Sequence, residues 1–324
     1  MKKRFIFPTL ILILILLFSL TQGAVPISLN SLFHILIHKD ASSNSLVLWD
    51  IRFPRIILAI LVGASLSVAG GLLQTIFQNP LADPSIMGIS TGTSLGTVIA
   101  LLLGVEFGTS LSVAFGVFGG SIAIALIFIY AHSRKSSHAA FLLFGVALNS
   151  LLAALLGIIL SATKNPQARS ISFWAQGTLS LATWSALVSI LPFFIIGLLI
   201  ALYQSKYSNV LTLSDIEIRT LGINPFTLRI ILSIAAAILV ASATSIVGII
   251  AFVGLITPFA LRLIYGPDLR FLIPLSALWG SVLLLLSDTL ARTLIHNLEI
   301  PISMLVALIG APIFMWILVR KVKI

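Results

Sequence analysis

The chain has 324 residues, of which 59% are hydrophobic and 9% charged, where a soluble domain carries about 25% charged residues. That composition excludes an ordinary water-soluble enzyme, and the absence of cysteine excludes disulfides, thiolate metal sites and thiol chemistry. A formal charge of +10 would point a soluble protein towards nucleic acid; in a chain this apolar it records topology, because Lys and Arg gather on the cytoplasmic side of membrane proteins.

A transmembrane helix takes about 20 mostly apolar residues, so ten spans use roughly 200 residues and leave no polar interval long enough for a soluble domain, which needs about 50. The reading is all-α: one polytopic membrane domain over residues 1–324. Lys2, Lys3 and Arg4 precede an apolar run from Phe5 to Leu20, an opening that resembles a secretory signal but is read as a retained first span, 5–22. Residues 28–55 are polar, with Lys39, Asp40, Asp50, Arg52 and Arg55, and read as a short external segment. Nine further spans follow at 56–77, 88–104, 110–131, 139–161, 184–203, 227–247, 249–265, 271–291 and 302–319.

With both termini inside, thirteen of the nineteen basic residues fall on the cytoplasmic side, as the positive-inside rule requires. Comparing residue i with residue i+178 aligns Ala59–Val62 with Ala237–Val240, Ser67 with Ser245, Gly70 with Gly248, Pro80 with Pro258, Ala82 with Ala260 and Gly88 with Gly266. The second span then lies over the seventh, which runs the opposite way: an inverted five-plus-five repeat, the build of many transporters.

Between the second and third spans, Gln78-Asn79-Pro80-Leu81-Ala82-Asp83-Pro84 must break the helix, since each proline removes a donor and crowds the preceding turn. Such backbone is tolerated at depth only against protein or a water-filled cavity, which turns Asn79 and Asp83 towards a pathway or its mouth; a plain loop with Asp83 as a helix cap is the alternative. Gly88, Gly92 and Gly96, then Gly116 and Gly120, recur at the four-residue spacing that lets membrane helices approach closely. Gly88-Ile89-Ser90-Thr91-Gly92 also fits a nucleophile elbow, with Asp288 and His296 later in the chain, so an intramembrane serine hydrolase is a formal rival.

Between the sixth and seventh spans, Ser214 and Glu217 form a capping box and Gly222 is a stop before Pro225. The helix of about two turns over 214–222 is too short to stand alone in water, and Ile216, Ile218 and Leu221 offer it a surface for a cytoplasmic partner. No Gly-x-x-x-x-Gly-Lys-Ser/Thr loop is present, so any ATP that drives this protein is bound elsewhere. Arg52, Arg55 and Arg292 fall at external span ends, as snorkelling anchors or as a docking site for an acidic extracellular partner.

These elements carry a resemblance. Arg52-Phe-Pro-Arg55, Gly70-Gly71-Leu72-Leu73-Gln74, Asn79-Pro-Leu-Ala-Asp-Pro84 with Gly88, Phe144-Gly-Val-Ala-Leu148, Leu221-Gly222, Phe252-Val-Gly-Leu255 with Pro258 and Arg262, Gly266-Pro-Asp268, Leu275-Ser-Ala277, Asp288 with Ala291-Arg292, and Gly310-Ala-Pro312 with Trp316 make the chain similar, from about Trp49 to Arg320, to the permeases of the iron-siderophore, haem and vitamin B12 class of ABC importers. The resemblance implies ten helices, a second permease subunit, identical or paralogous, around one central route, and two ATP-binding subunits beneath that carry the ATP and magnesium; this chain itself holds no cofactor and no metal and is not an enzyme.

It also assigns roles. Arg52, Arg55 and Arg292 match residues that receive an extracellular substrate-binding protein. Asp215, Ile216, Glu217, Ile218, Arg219, Leu221 and Gly222 match the helix seated on the ATPase. Asn79, Pro80 and Leu81 match a cytoplasmic gate loop, and Ser136, Ser137 and His138 a second gate segment. Phe259 stands where the family usually has histidine. The expected function is uptake of an iron chelate, most simply a ferric siderophore, across a bacterial cytoplasmic membrane, with haem or cobalamin as the alternative cargo. An ATP-independent secondary transporter is the rival of a different class, and it would need a protonatable residue in mid-span; Asp83 and Asp288 both map towards span ends.

Overall fold

The structure is a computed structural model that describes residues 3–23, 26–38, 42–134, 138–162, 171, 173–294 and 300–321. In hydrocarbon every backbone N–H and C=O must find a partner within the protein, and the described residues answer with helices alone. α1 (Lys3–Thr21) leads to a short α2 (Leu29–His38). α3 (Ser43–Leu46) passes through a π-helical turn, Val47–Arg52, into α4 (Phe53–Ile76). Then come α5 (Ile89–Leu102), α6 (Ser110–Arg134), α7 (His138–Ala162) and α8 (Trp184–Ser208). After α9 (Asp215–Thr220) the chain runs through α10 (Pro225–Val247), α11 (Val253–Tyr265), α12 (Leu269–Thr293) and α13 (Ile302–Lys321).

Ten of these helices lie on the ten apolar stretches of the sequence. Seven are long and apolar enough to cross a bilayer by themselves over their described residues; α5 and α11 are shorter. At 1.5 Å per residue α5 and α11 reach only about 20 Å of a core about 30 Å thick, so irregular backbone completes each crossing. For α5 it is the loop 77–88. For α11 it is 248–252, which with the end of α10 is held by the segment 174–178: Thr178 N donates to Val247 O at 2.8 Å, Ile249 N to Ala175 O at 3.4 Å, and the Trp174 indole to Ile246 O at 2.9 Å.

The inverted repeat is present, with a register that differs from the sequence comparison. Helix lengths run 24, 14, 25 and 25 residues from α4 to α7, and 23, 13, 25 and 20 from α10 to α13. The short helix of each half starts after a left-handed residue, Gly88 (φ 81) before α5 and Phe252 (φ 70) before α11. The packing is reciprocal: α4 lies on α12 and α11, as α10 lies on α6 and α5. The i+178 offset brings α4 over α10 but about six residues out of phase, since the two helices start 172 residues apart. Pro80, Ala82 and Gly88 belong to a loop, while Pro258, Ala260 and Gly266 belong to α11 and its C-cap, so those identities are coincidences of an apolar, small-residue composition.

The windows through α4 and α10 are 83% and 78% buried against 17% for α1 and α7, which puts the first pair at the centre and the second at the perimeter. Glycine makes the centre possible. A Cβ on Gly70 would stand 1.9 Å from Gly254 O, and one on Gly63 2.3 Å from Gly280 O, so α4 meets α11 and α12 backbone to backbone. The expected α5–α6 seam packs the same way, Gly92 against Gly119 and Gly96 against Phe115.

Candidate functional site

Two groups of residues lie at opposite ends of α4 and α12. At one end α9 is fixed by local chemistry. The Glu217 carboxylate accepts from Ser214 N and Ser214 Oγ, both at 2.8 Å, while Ser214 Oγ accepts from Glu217 N at 3.4 Å, the reciprocal capping box. Those Ser214 donors, the backbone N–H first, hold the Glu217 carboxyl below its ordinary range. Asp215 takes both arms of Arg229, at 2.7 and 3.0 Å. Gly222, at φ 77, donates to Arg219 O at 3.0 Å and ends the helix.

Of the three apolar residues expected to meet a partner, Ile218 is withdrawn: it is fully buried in the core cluster that also holds Leu211 and Leu228. That contact is how a helix of six residues stays folded. Ile216 and Leu221 are 78% and 58% exposed, and Arg219 is exposed beside them, so α9 presents a short rigid face with two large hydrophobes.

The loop 77–88 lies at this same end. Gln78 adopts φ 46, and its amide nitrogen donates to Leu211 O, which ties the loop to the segment that leads into α9. Asn79 Oδ1 accepts from Leu81 N at 2.8 Å, leaving Pro80 and Leu81 exposed at the tip. Asp83 is buried and turned into its own chain, where it accepts from Ser85 N at 2.8 Å and from the Ser85 hydroxyl. It therefore braces the turn at Ser85, neither capping α5, whose N-cap is Gly88, nor facing a pathway.

Arg262 of α11 closes the loop's base. Its guanidinium donates to Gln74 Oε1 at 3.3 Å and to Gly71 O at 2.9 Å, and Gln74 reaches back to Leu255 O at 3.0 Å. Asp268 caps α12, accepting from Arg270 N at 3.0 Å and from the Asn209 amide at 2.7 Å. The Arg270 guanidinium, with Asn209 and the Arg270 backbone N–H, holds its carboxyl well below the usual range. Ser136 and Ser137 lie outside the described residues; His138 opens α7, described as backbone. Phe259 is buried and meets the Phe314 ring edge-on at 5.5 Å, a packing role.

At the other end the three arginines come together and turn inward. Asp288, fully buried, pairs with Arg55 Nε at 2.9 Å and with Arg292 Nε at 3.0 Å; the two arginine side chains are 11% and 12% exposed. Arg292 also donates to Ser19 Oγ at 2.6 Å, and Arg52, itself buried, donates to Leu20 O. The cluster joins α1, α4 and α12 and, among the described residues, gathers the three arginines about one buried carboxylate. Asp288 is the residue the sequence reading left without a role, although its i,i+4 spacing to Arg292 was a signal for a helix ion pair. Committed to these arginines and at the far end from Ser90, which sits in the first turn of α5, Asp288 takes no part in a serine triad.

Arg4 lies over the Tyr265 and Phe271 rings at 5.6 and 5.8 Å, so α1 begins at the α9 end. Ile302 N donates to Gly177 O at 3.0 Å, beside the end of α10, so α13 runs back from the arginine end and finishes at the α9 end as well.

Comparison with known proteins places the whole arrangement. The model of the FecCD transport family matches residues 11–320. The hemin transport system permease protein HmuU of Yersinia pestis is 37% identical over 328 residues, covering 97% of this chain and 95% of that one. The iron(3+)-hydroxamate import system permease protein FhuG of Bacillus subtilis is 36% identical over 319 residues, covering 96% and 95%. A solved inward-facing structure assigned to the metal-chelate type of ABC transporter superposes with a TM-score of 0.86 at 31% identity, covering 99% of this chain and 100% of that one.

Proposed function

The chain belongs to the FecCD transport family, and from that premise we propose that it carries a ferric siderophore inward, taking its energy from an ATPase seated on α9. Its place as the multi-pass membrane permease of an ABC importer for iron chelates, haem or siderophore-type substrates is the ground on which the finer reading stands.

The observation that carries the mechanism is the Gln78 bond to Leu211. It joins the break-and-turn loop 77–88 to the stretch that feeds the capped helix, so a push on Ile216 and Leu221 reaches Asn79, Pro80 and Leu81 without crossing the core. The α9 end is then the cytoplasmic end, with both termini on that side. ATP and magnesium belong to two separate subunits, and motion of α9 shifts the gate loop between alternative arrangements. At the far end the inward-turned guanidinium groups of Arg52, Arg55 and Arg292 lie just beneath the surface that would receive an extracellular substrate-binding protein, and their positive charge would favour acidic groups there. Asp288 holds Arg55 and Arg292 in one orientation, so less side-chain freedom is lost on docking. Ser136, Ser137 and His138 would form the second gate. The cargo itself passes between this chain and a second permease subunit.

A ferric cargo is favoured by the hydroxamate-iron relative; haem is the second reading, favoured by the hemin relative. The test is uptake by proteoliposomes holding the permease, its ATPase and its binding protein, loaded in turn with several ferric siderophores, haem and cobalamin. ATP-dependent accumulation of a ferric siderophore is the expected result. Accumulation of haem alone would replace the cargo, and accumulation by the permease without ATPase would overturn the mechanism.

A further inference from the structure

A groove of ≈ 430 Å³ runs between α8 and α10, lined by Leu199, Ile200, Tyr203, Gln204, Ile231 and Ile234. It opens outward on two spans, with Leu199, Tyr203 and Ile234 all exposed, and it lies towards the end that carries α9. None of the elements given a transport role uses it. Within a bilayer such a slot is occupied by something apolar, and its size limits the choice. The slot is open along the two helices and short, bounded by six residues, so a thin flexible chain can follow it. A flexible hydrocarbon chain fits it.

The mouth of the groove adds polar chemistry. The Tyr203 ring meets that of Tyr207 at 6.2 Å, one turn towards the end of α8. Lys206 is exposed on the same side of the helix, which it shares with Tyr203 by an i,i+3 spacing. The two nearest acidic caps are taken, Asp215 by Arg229 and Asp268 by Arg270 and Asn209. Among the described residues neither Lys206 nor the Gln204 amide has a carboxylate or a hydrogen-bond partner. An ammonium, an amide and two phenols at the end of an apolar slot form the basic interhelical pocket that takes a lipid headgroup.

We infer that this groove binds a phospholipid with an anionic headgroup, one acyl chain lying along Leu199, Ile231 and Ile234 and the phosphate at Lys206, Tyr203 and Gln204. The inference rests on α8 and α10 crossing the bilayer and not on the cargo or the orientation proposed above, so it can fail or stand independently of them. Full-length chain, delipidated in detergent, is titrated with phosphatidylglycerol and with phosphatidylcholine and the bound lipid is counted by native mass spectrometry. Phosphatidylglycerol is expected to bind more tightly. Lys206→Gln should weaken it about fivefold, the effect of one lysine at an anionic surface, and leave phosphatidylcholine unchanged. Ile234→Trp, at a position 47% exposed at the slot, should displace both lipids by filling it. Equal affinity for the two lipids, no change in Lys206→Gln, or full occupancy in Ile234→Trp would each overturn the assignment.

Discussion

Replacing Asp288 with alanine removes the buried carboxylate that pairs with both Arg55 and Arg292. The carboxylate is fully buried, and its partners Arg55 and Arg292 are 11% and 12% exposed, so little water can take its place. Breaking a buried pair costs about 3–5 kcal/mol because the remaining charge loses its compensation; here two guanidinium groups lose the carboxylate they share, and a loss within that range is expected. The loss is read as the fall in unfolding free energy of the purified chain in mixed micelles of increasing denaturing detergent. A second variant separates charge from shape. Asp288→Leu with Arg55→Met and Arg292→Met replaces the triad by apolar side chains, which for buried ion pairs is often neutral or stabilising by about 1–4 kcal/mol. The triple variant should therefore be at least as stable as the single one while losing any affinity for the substrate-binding protein. A single variant that falls by less than about 1 kcal/mol, or a triple variant less stable than the single, would refute the view that Asp288 neutralises this corner.

On α9, Ile216→Asp and Leu221→Asp should leave the unfolding of the isolated chain within about 0.5 kcal/mol, as surface substitutions do, and abolish co-purification with the ATPase, whereas Ile218→Asp buries a charge and should prevent folding. Ser214→Ala removes the cap and should cost about 1 kcal/mol, seen as reduced amide-exchange protection of residues 215–220. Gly70→Ala would set a Cβ 1.9 Å from Gly254 O; a large fall in thermal stability is expected, read by the loss of monodisperse protein on heating. Asp268→Asn keeps the N-cap but not the charge. Since Arg270 and Asn209 hold the folded carboxyl below its unfolded value of about 3.9, its contribution is present above that pH and disappears as pH falls through the lower folded value, so the stability difference between wild type and variant should shrink steadily below about pH 4.

The span positions and the capping box were legible because both are local: hydropathy over one helix and a serine three residues before a glutamate act within a single turn or span. Ser214 and Glu217 pair in the structure as their spacing implied. The Arg55–Asp288 pair joins residues 233 positions apart, and no periodicity connects them, so the inward turn of the arginine cluster was invisible. Ile218 was misread for a related reason: a two-turn helix shows three hydrophobes, and only the packing of Leu211 and Leu228 decides which one is withdrawn. The repeat was seen and misaligned because insertions in loops change its phase. Helix starts Phe53 and Pro225 are 172 residues apart, Ile89 and Val253 164, Ser110 and Leu269 159; no single offset can follow that drift.

The contrast between the centre and the perimeter bears on where the proposed route can run. Gly63 and Gly70 bring α4 against the backbones of α12 and α11, and separating them to pass a bulky chelate would forfeit close-packed contact along the whole seam. A passage through the middle of the subunit is thus the most costly path, and one along its face is the cheapest. On α7, only 17% buried, Ala147, Ser150, Ala154, Gly157 and Ser161 are exposed at the three- and four-residue spacing of one helix face, small and partly polar where a purely lipid-facing stripe would carry large aliphatics. A Cβ on Gly157 meets nothing within 4 Å, so the chain itself tolerates any side chain there. If this face lines the route between two permease subunits, Gly157→Trp leaves the stability of the isolated chain unchanged within about 0.5 kcal/mol, preserves assembly with the ATPase, and blocks uptake by the reconstituted complex, while Gly157→Ala transports normally. Normal uptake by the tryptophan variant in an intact complex would remove α7 from the route and return the passage to another face.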